Sequence, residues 1–258
     1  MKIATWNINS IKSRLGHVLD WSVKNQPDVL CLQETKVSDD IFPLVKLKEA
    51  GFEYTIFHGE RTYNGVAILS RHPLTEIQKN FPGDDAGVQS RLIAATVKGI
   101  RILNAYVPHG TRIGTPKFEY KLEWLAFLRR YLDEFYDPED DVLLCGDFNI
   151  TPHEMDLWDT ALWRNKLHYT KPERDALIEV KRWGFVDLFR QLNPDAREYS
   201  WWGMFHPHMF PHNKGLRLDH IWATEPLAEI CTDCWIDKEP RGWDKPSDHA
   251  PVIAEFST

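Results

Sequence analysis

The residues of this chain best suited to chemistry stand where short apolar runs stop. Lys2–Trp6 runs into Asn7-Ile8-Asn9, Asp28–Leu32 into Gln33-Glu34-Thr35-Lys36, and Ile100–Asn104 into Tyr106-Val107-Pro108-His109. Asp141–Cys145 runs into Gly146-Asp147-Phe148-Asn149, Leu216–Leu218 meets Asp219, and Ser247-Asp248-His249 precedes a last apolar run. At any one strand end, Asp, Asn and Gly are ordinary turn formers. Six such ends in one chain ask for more, because Glu34 is no turn former and His249 is followed by Ala250 and Pro251 rather than by turn residues. Sheets bring strand ends together, so these side chains can converge on one pocket.

Converged, they would suit phosphate chemistry. Glu34 and Asp248 are hard oxygen ligands and Asn7 adds a neutral carbonyl, a set that fits Mg²⁺ completed by water and substrate phosphate. Zinc fits less well, since no His/Cys ligand spacing accompanies these residues. His249 can bind or protonate a phosphate oxygen, with Asp219 fixing its tautomer and raising its pKa. Asp147 can orient or deprotonate a water, and Asn149 can hold that water or a phosphate oxygen. Tyr106 can donate a hydrogen bond to charge developing on phosphorus. The chemistry implied is metal-assisted hydrolysis of a phosphate ester.

The elements that must position these groups alternate along the chain. Strand-like runs cover Lys2–Ile8, Asp28–Leu32, Tyr54–Phe57, Gly65–Ser70, Leu92–Val97, Ile100–Tyr106, Asp141–Leu144, Leu218–Trp222 and Pro251–Phe256. Several are apolar on both faces, as strands buried under helices are. Leu15, Val18, Leu19 and Val23 mark an early amphipathic helix. Phe118, Leu122, Leu125, Leu128, Leu132 and Phe135 mark a long one, with Thr115 as N-cap and Pro116 in its first turn. Thr170–Trp183 reads as a third, with Leu177, Val180 and Trp183 on its apolar side. This pattern predicts an α/β fold, a four-layered sandwich of two packed mixed β-sheets flanked by helices, as a single domain over residues 1–258.

Bulk properties narrow the classes. The chain has 258 residues, 43% hydrophobic and 27% charged, which excludes disorder, collagen and coiled coil. No run approaches the roughly 20 apolar residues of a membrane helix. No apolar core follows a basic start, so there is no secretion signal and a reducing cytoplasm is the expected compartment. Cys31 and Cys145 lie in strand-like runs and read as buried thiols, while Cys231-x-x-Cys234 lacks the second pair of a zinc site. The net charge is −7, which by itself argues weakly against a nucleic-acid partner. Six of the acids, however, crowd between Asp133 and Asp141 with no base among them, and without them the chain stands at −1.

The ordered motifs resemble the bacterial exodeoxyribonuclease III and abasic-site endonuclease family, within the exonuclease–endonuclease–phosphatase superfamily. The resemblance rests on Trp6–Asn9, Pro27–Lys36, Phe81-Pro82-Gly83-Asp84-Asp85, Asn104–Pro108, Gly146–Asn149, Gly215–Asp219 and Ser247–Val252, in family order along essentially the whole chain. It implies the two-sheet sandwich, cleavage 5′ to abasic sites in double-stranded DNA, removal of 3′ nucleotides or 3′ blocking groups, and a need for Mg²⁺ or Mn²⁺. By resemblance, Asn7, Glu34 and Asp248 are the metal shell. Asp147 and Asn149 orient the water, Tyr106 contacts phosphate, and Asp219 pairs with His249. Asp147 is assigned as the base, with His249 the alternative, and one metal is not distinguished from two.

A second set concerns substrate. Trp201, Leu216 and Leu218 match positions lining the family's pocket for an extrahelical abasic sugar, which selects by excluding an intact nucleotide. Asn9, Lys36, Tyr63, Arg91, His109, Lys214 and Arg217 are expected to face DNA, the cations at phosphates. The resemblance has departures. His109 stands where the family has Asn or Gln, the His206–His212 segment is rich in His and reads as a solvated loop, and Trp202 reads as core beside Trp201. The partner expected is duplex DNA with abasic sites or 3′ ends, bound by a monomer with no membrane involvement. Rivals are a superfamily relative acting on phosphoinositide, sphingolipid or RNA, which the segment Trp201–Asp219 disfavours, and a binding module without catalysis, which the intact acids and His249 disfavour.

Overall fold

The computed structural model describes residues 1–82, 89–203 and 208–257. In chain order the strands are β1 (Lys2–Asn7), β2 (Val29–Gln33), β3 (Tyr54–His58), β4 (Val66–Ser70), β5 (Thr75–Lys79), β6 (Leu92–Val97), β7 (Ile100–Tyr106), β8 (Val142–Asp147), β9 (Phe185–Asp187), β10 (Asp219–Thr224), β11 (Cys231–Ile236) and β12 (Val252–Phe256). The helices are α1 (Ile11–Asn25), α2 (Leu44–Glu49), α3 (Pro116–Phe135), α4 (Thr160–Trp163), α5 (Lys171–Lys181), α6 (Leu188–Leu192) and α7 (Glu225–Glu229). The strands form two six-stranded sheets, ordered β11-β12-β1-β2-β4-β3 and β5-β6-β7-β8-β10-β9. Each sheet contains one parallel pair, β1/β2 bridged by α1 and β7/β8 bridged by α3. The predicted sandwich of two mixed sheets flanked by helices is what forms.

Alternation along the strands sorts side chains into layers. Ile3, Val29, Cys31, Ile102, Leu143, Cys145 and Ile221 face inward and fill the space between the sheets. Ala4, Trp6, Leu30 and Leu32 face outward and pack on Ile11, Val18 and Trp21 of α1. Leu103 and Leu144 face outward on the other side, under Trp124, Leu125 and Leu128 of α3 and Leu177 and Val180 of α5. The inward rows end in polar residues: Asn7 follows Ile3 and Thr5, Gln33 follows Cys31, Tyr106 follows Ile102 and Asn104, and Asp147 follows Cys145. Register then aligns them, with Asn7 opposite Gln33, Tyr106 opposite Asp147, and Asp147 opposite Asp219. Gly146 is required here, because a Cβ at that position would lie 1.9 Å from the Ala105 carbonyl oxygen of β7.

Departures from the expected elements follow burial. Strands β5, β9 and β11 were not foreseen; β5 is mostly exposed, β9 has three residues, β11 is only partly buried, and all three are sheet edges, where apolar alternation is weakest. Val23 and Phe135 are exposed rather than on the buried stripe, and Trp21 takes the core position in α1. Thr115 is the N-cap of α3, but its side chain bonds the Arg112 carbonyl instead of the helix. The acidic run enters β8 at Val142, the end away from Asp147, as anticipated. All four cysteines are buried and unpaired by disulfide.

One expectation is overturned. Arg217 was assigned to a DNA phosphate, yet it is 1% exposed. Its Nε donates to Asp156 Oδ1 at 2.7 Å and its Nη2 to Asp187 Oδ2 at 2.7 Å. Arg190 Nη2 donates to the same Asp156 oxygen at 2.7 Å. Four of its N–H groups go to these two carboxylates, and at this burial the guanidinium is not presented to a phosphate. Burial alone would raise Asp156 and Asp187, but Arg217 holds both below the usual carboxylate range. Burial, with Arg217 adding, pushes neighbouring His220 down to about 4.

Two outcomes follow. Removing one partner of a buried ion pair strands the other, so Arg217→Met should lose about 3–5 kcal/mol in urea unfolding at neutral pH. His220 is neutral in the fold and takes up a proton more readily when unfolded. Its contribution is therefore intact above its ordinary value of 6.5 and is lost as pH falls from there towards 4. Melting curves should show acid costing wild type more than His220→Asn across that window; equal losses would remove His220 from the account.

Candidate active site

The centre of the site is a buried triad of charge. His249, just before β12, presents Nδ1 to Asp219 Oδ2 at 2.8 Å. Its Nε2 lies 3.8 Å from Asp147 Oδ2 and donates to no described residue. Burial disfavours the charged ring, but Asp219 and Asp147 outweigh it and push His249 up to about 10. The Asp147 carboxyl is pushed up to about 7, by burial first and by Asp219 and Glu34 in addition, against the pull of His249. A protonated His249 is a donor, fixed at Nδ1 by Asp219 and with its Nε2–H uncommitted.

Asn7 connects this centre to Glu34. Its Nδ2 donates to Glu34 Oε1 and to Asp147 Oδ2, both at 2.9 Å, while its Oδ1 accepts the Asn9 N–H at 3.0 Å. Asn7 was expected to offer a carbonyl to a metal; here its amide nitrogen faces the acids and spaces them apart. Tyr106 OH donates to Glu34 Oε1 at 2.8 Å, and burial with the charge of Glu34 keeps it a neutral phenol. Lys36 Nζ sits 2.6 Å from Glu34 Oε2 and donates to Asn9 Oδ1 at 2.7 Å. Burial would raise Glu34, but Lys36 and then Asn7 hold it ionised below its usual range. Asn9 Nδ2 donates to Asp248 Oδ1 at 2.9 Å, and Trp201 Nε1 to Asp248 Oδ2 at 3.0 Å. Asp248 thus reaches Glu34 only through Asn9 and Lys36.

Asn149 completes the site beside Asp147. Its N–H donates to Asp147 Oδ1 at 2.8 Å, and its Nδ2 donates to Val107 O at 3.0 Å and to Asp147 Oδ2 at 3.2 Å. Asn9, Glu34, Lys36 and Asn149 all have left-handed backbone, with φ of 44°, 52°, 55° and 51°. For Glu and Lys that conformation is strained. It persists because cross-loop bonds over-determine it: Ser10 N–H to Glu34 O at 2.8 Å and Lys36 N–H to Asn64 O at 2.9 Å.

The donor set suits a hard divalent cation. Four carboxylates (Glu34, Asp147, Asp219, Asp248) face one imidazolium and one ammonium. Asp219 Oδ1 is buried without a hydrogen-bond partner. Candidate ligand atoms of Asp147, Asp219 and His249 lie within 4.8 Å of one another. A metal needs a neutral imidazole, whereas Asp219 and Asp147 favour the protonated ring of His249. The carboxylates are the groups that could ligate such a cation, Glu34 being joined to Asp147 through the Asn7 amide.

The substrate set divides. Tyr63, Arg91 and His109 line a cavity of about 280 Å³ with Lys117 and Tyr120. Arg91 stacks on the Tyr106 ring, 4.7 Å from its centroid. His109 accepts the Thr111 N–H at Nδ1 and is held below its ordinary value by desolvation and by Lys121, so it is neutral. Leu216 and Leu218, at 0% and 1% exposure, are withdrawn from solvent and pack with Leu157 against Trp163, Tyr169 and Trp201. His168 packs 5.9 Å from Trp201 on the same side. Trp202 is core, as anticipated. Lys214 is exposed, its Nζ 5.0 Å from the Trp158 ring centroid. Lys12 and Arg61, which the sequence did not single out, join Lys36 around a second opening of about 590 Å³. Gly83, Asp84, Asp85, His206 and Pro207 lie outside the described residues.

Two buried amides were also missed. Gln33 Nε2 donates to Asn104 Oδ1 at 2.7 Å, and Asn104 Nδ2 to Ala67 O at 2.8 Å, bridging the sheets directly beneath the site. A polar residue on an inward position of an apolar strand was the available signal.

The charge balance can be read directly. In Asp219→Asn, burial should prevail and His249 should lose its proton at a lower pH than the value near 10 in wild type. NMR titration of the His249 ring checks this; an unchanged midpoint would show that Asp219 does not set the charge.

Comparison with known proteins agrees with this geometry. The model of the endonuclease/exonuclease/phosphatase family matches residues 4–249. Exodeoxyribonuclease III of Haemophilus influenzae is 35% identical over 268 aligned residues, covering 99% of this chain and 100% of the relative. An AP endonuclease from Archaeoglobus fulgidus superposes with a TM-score of 0.96 at 38% identity, over 100% of both chains. A 3′ phosphatase from Neisseria, solved with a product DNA hairpin, superposes at 0.95 with 38% identity, again over 100% of both. A match to nearly the whole chain, on a fold whose strand ends gather Asn7, Glu34, Asp147, Asp219 and His249, places the protein in the endonuclease/exonuclease/phosphatase family, as a phosphodiester hydrolase of the exodeoxyribonuclease III type.

Proposed function

We propose that this chain hydrolyses DNA phosphodiesters 5′ to abasic sites and removes 3′ nucleotides or 3′ blocking groups, as a Mg²⁺-dependent monomer in which Mn²⁺ can substitute. The observation that carries the reading is the Asp219–His249–Asp147 arrangement joined to Glu34 through one Asn7 amide. Glu34, oriented by the Asn7 amide and linked to Asp248 through Asn9 and Lys36, would hold the cation, which supplies Lewis acidity and charge neutralisation at the phosphate. Asp147 takes the proton of the attacking water, which Asn149 orients. His249 is the wrong protonation state for a base, so its Nε2–H donates to a phosphate oxygen. Tyr106 turns its phenol from Glu34 to the phosphate, adding a neutral donor where negative charge grows.

Contacts to DNA follow exposure. Lys12, Lys36 and Arg61 at one opening, with Tyr63, Arg91 and His109 at the neighbouring cavity, form the face that takes the backbone, and exposed Lys214 adds a further cation. A second reading of the substrate preference rests on the closed cluster around Leu216 and Leu218. With Leu216 and Leu218 withdrawn from solvent, 3′-end processing should outweigh abasic incision.

A gel assay with Mg²⁺ on abasic, nicked, 3′-phosphate and undamaged duplexes tests both readings. Chelation by EDTA should abolish turnover and added Mg²⁺ restore it. Asp147→Asn and His249→Asn should each cost about 10²–10⁴-fold in kcat. Turnover of lipid or nucleotide phosphates in place of DNA would sink the proposal. In a separate binding series, the Kd for duplex should rise with salt. Lys12→Ala and Arg61→Ala should each reduce the log–log slope by about 1, and Arg217→Met should leave it unchanged.

A further inference from the structure

Beneath Asn149 lies a lysine with no contact to solvent. Lys121 is on the inner face of α3, between the buried Phe118 and Trp124, and is 0% exposed. An ammonium has three protons to donate. Each finds an acceptor: Glu173 Oε1 at 2.5 Å, Asn149 O at 2.8 Å and His109 O at 3.3 Å. Glu173 is equally committed. Its Oε1 also accepts the His168 N–H at 3.1 Å, and its Oε2 accepts the Thr170 N–H at 3.0 Å and hydroxyl at 2.7 Å, closing the capping box of α5.

Burying both charges of an ion pair is costly, and an apolar pair of similar volume commonly serves packing as well or better. The charge must therefore supply something that packing does not. What it supplies is visible at the two carbonyls. His109 stands in the loop after β7 and Asn149 in the loop after β8, so one ammonium fixes the spacing of two strand ends that carry Tyr106 and Asp147. The Asn149 carbonyl is further held by His168 Nδ1 at 2.7 Å. Held from below in a left-handed conformation, Asn149 is the group that donates to both oxygens of Asp147.

We propose that Lys121 is a positioning residue for the hydrolysis. Through the Asn149 backbone it sets the direction of the Asp147 carboxylate, and Glu173 keeps its charge in place. The proposal rests on the hydrolytic reading above, in which Asp147 and Asn149 handle the water.

The test is steady-state kinetics on one DNA substrate, with thermal unfolding in parallel. Wild-type turnover comes first, because its absence would defeat the functional reading and not this one. The variant Lys121→Met with Glu173→Gln removes both charges and keeps an acceptor for the α5 cap. It should melt close to wild type and bind DNA with unchanged KM, while kcat falls about 10- to 100-fold from a displaced carboxylate. Glu173→Gln alone strands the Lys121 charge, which burial already pushes toward the neutral amine, so it should melt below wild type and lose kcat at unchanged KM. Lys121→Arg keeps the charge against Glu173 but shifts the donors off the two carbonyls, so it should fold and also lose kcat at unchanged KM. This variant decides the matter if the double one does not fold. Full kcat in a folded Lys121 variant, or a loss that appears in KM instead, would overturn the proposal.

Discussion

A protonated imidazole between two buried carboxylates holds this molecule's working parts in place. His249 belongs to the segment entering β12 of one sheet, whereas Asp219 and Asp147 begin β10 and end β8 of the other. The charge thus spans the gap between the sheets at the point where their apolar filling stops. Placing one positive charge among several negative ones is tolerable in a buried setting only if every member has a partner. Trp6 Nε1 donates to the His249 carbonyl at 3.1 Å, and Ser247 Oγ accepts the His249 N–H at 3.2 Å while donating to Asn7 O at 2.7 Å. The imidazole is fixed at both ring and backbone, so its free Nε2–H has one direction.

The layered architecture makes such a cluster almost unavoidable. Two parallel strand pairs, one per sheet, end at the same side of the sandwich, and their inward rows deliver Asn7 and Gln33 from one sheet and Tyr106 and Asp147 from the other. Below them the rows are apolar and interlock. At the boundary, Gln33 Nε2 donates to Asn104 Oδ1 across the gap, and Asn104 Nδ2 donates back to the Leu32 and Ala67 carbonyls of the first sheet. That bridge engages two amides with no access to water and fixes how far apart the polar ends sit. Slipping either strand by one residue would turn its polar end outward, so core packing and site geometry enforce the same register.

The parts of this arrangement that could be read from the sequence are those with strong local signals. Buried strands show as apolar runs, and Glu34, Asp147 and His249 stand out because they interrupt those runs without being needed for a turn. Edge strands β5, β9 and β11 escaped because half-exposed residues carry little periodicity. Arg217 was misread for a more instructive reason. An arginine between Leu216 and Leu218 looks like a surface cation, and its partners Asp156 and Asp187 are distant in sequence. The donor role of Asn7 was equally hidden, since which end of a carboxamide faces the acids depends on where Glu34 and Asp147 meet in space.

The acidic balance of the chain also takes its meaning from position. The crowded acids before Val142 lie at the end of β8 away from Asp147, where they do not oppose a polyanion at the site. The site itself carries surplus negative charge, and a phosphate entering beside Glu34, Asp147 and Asp248 would be repelled if nothing compensated. Lys36 partly does so, lying against Glu34 and linked through Asn9 to Asp248. Were Glu34 to hold a divalent cation, Lys36, which lines an opening with Lys12 and Arg61, would be free to turn to the backbone. The cation would then favour the phosphate twice, by neutralising the carboxylates and by freeing a lysine for the backbone. By reciprocity, bound phosphate would tighten the hold on the cation to the same degree. An acidic protein can in this way grip a polyanion, because the charges that seem to forbid the contact are those that recruit the ion permitting it.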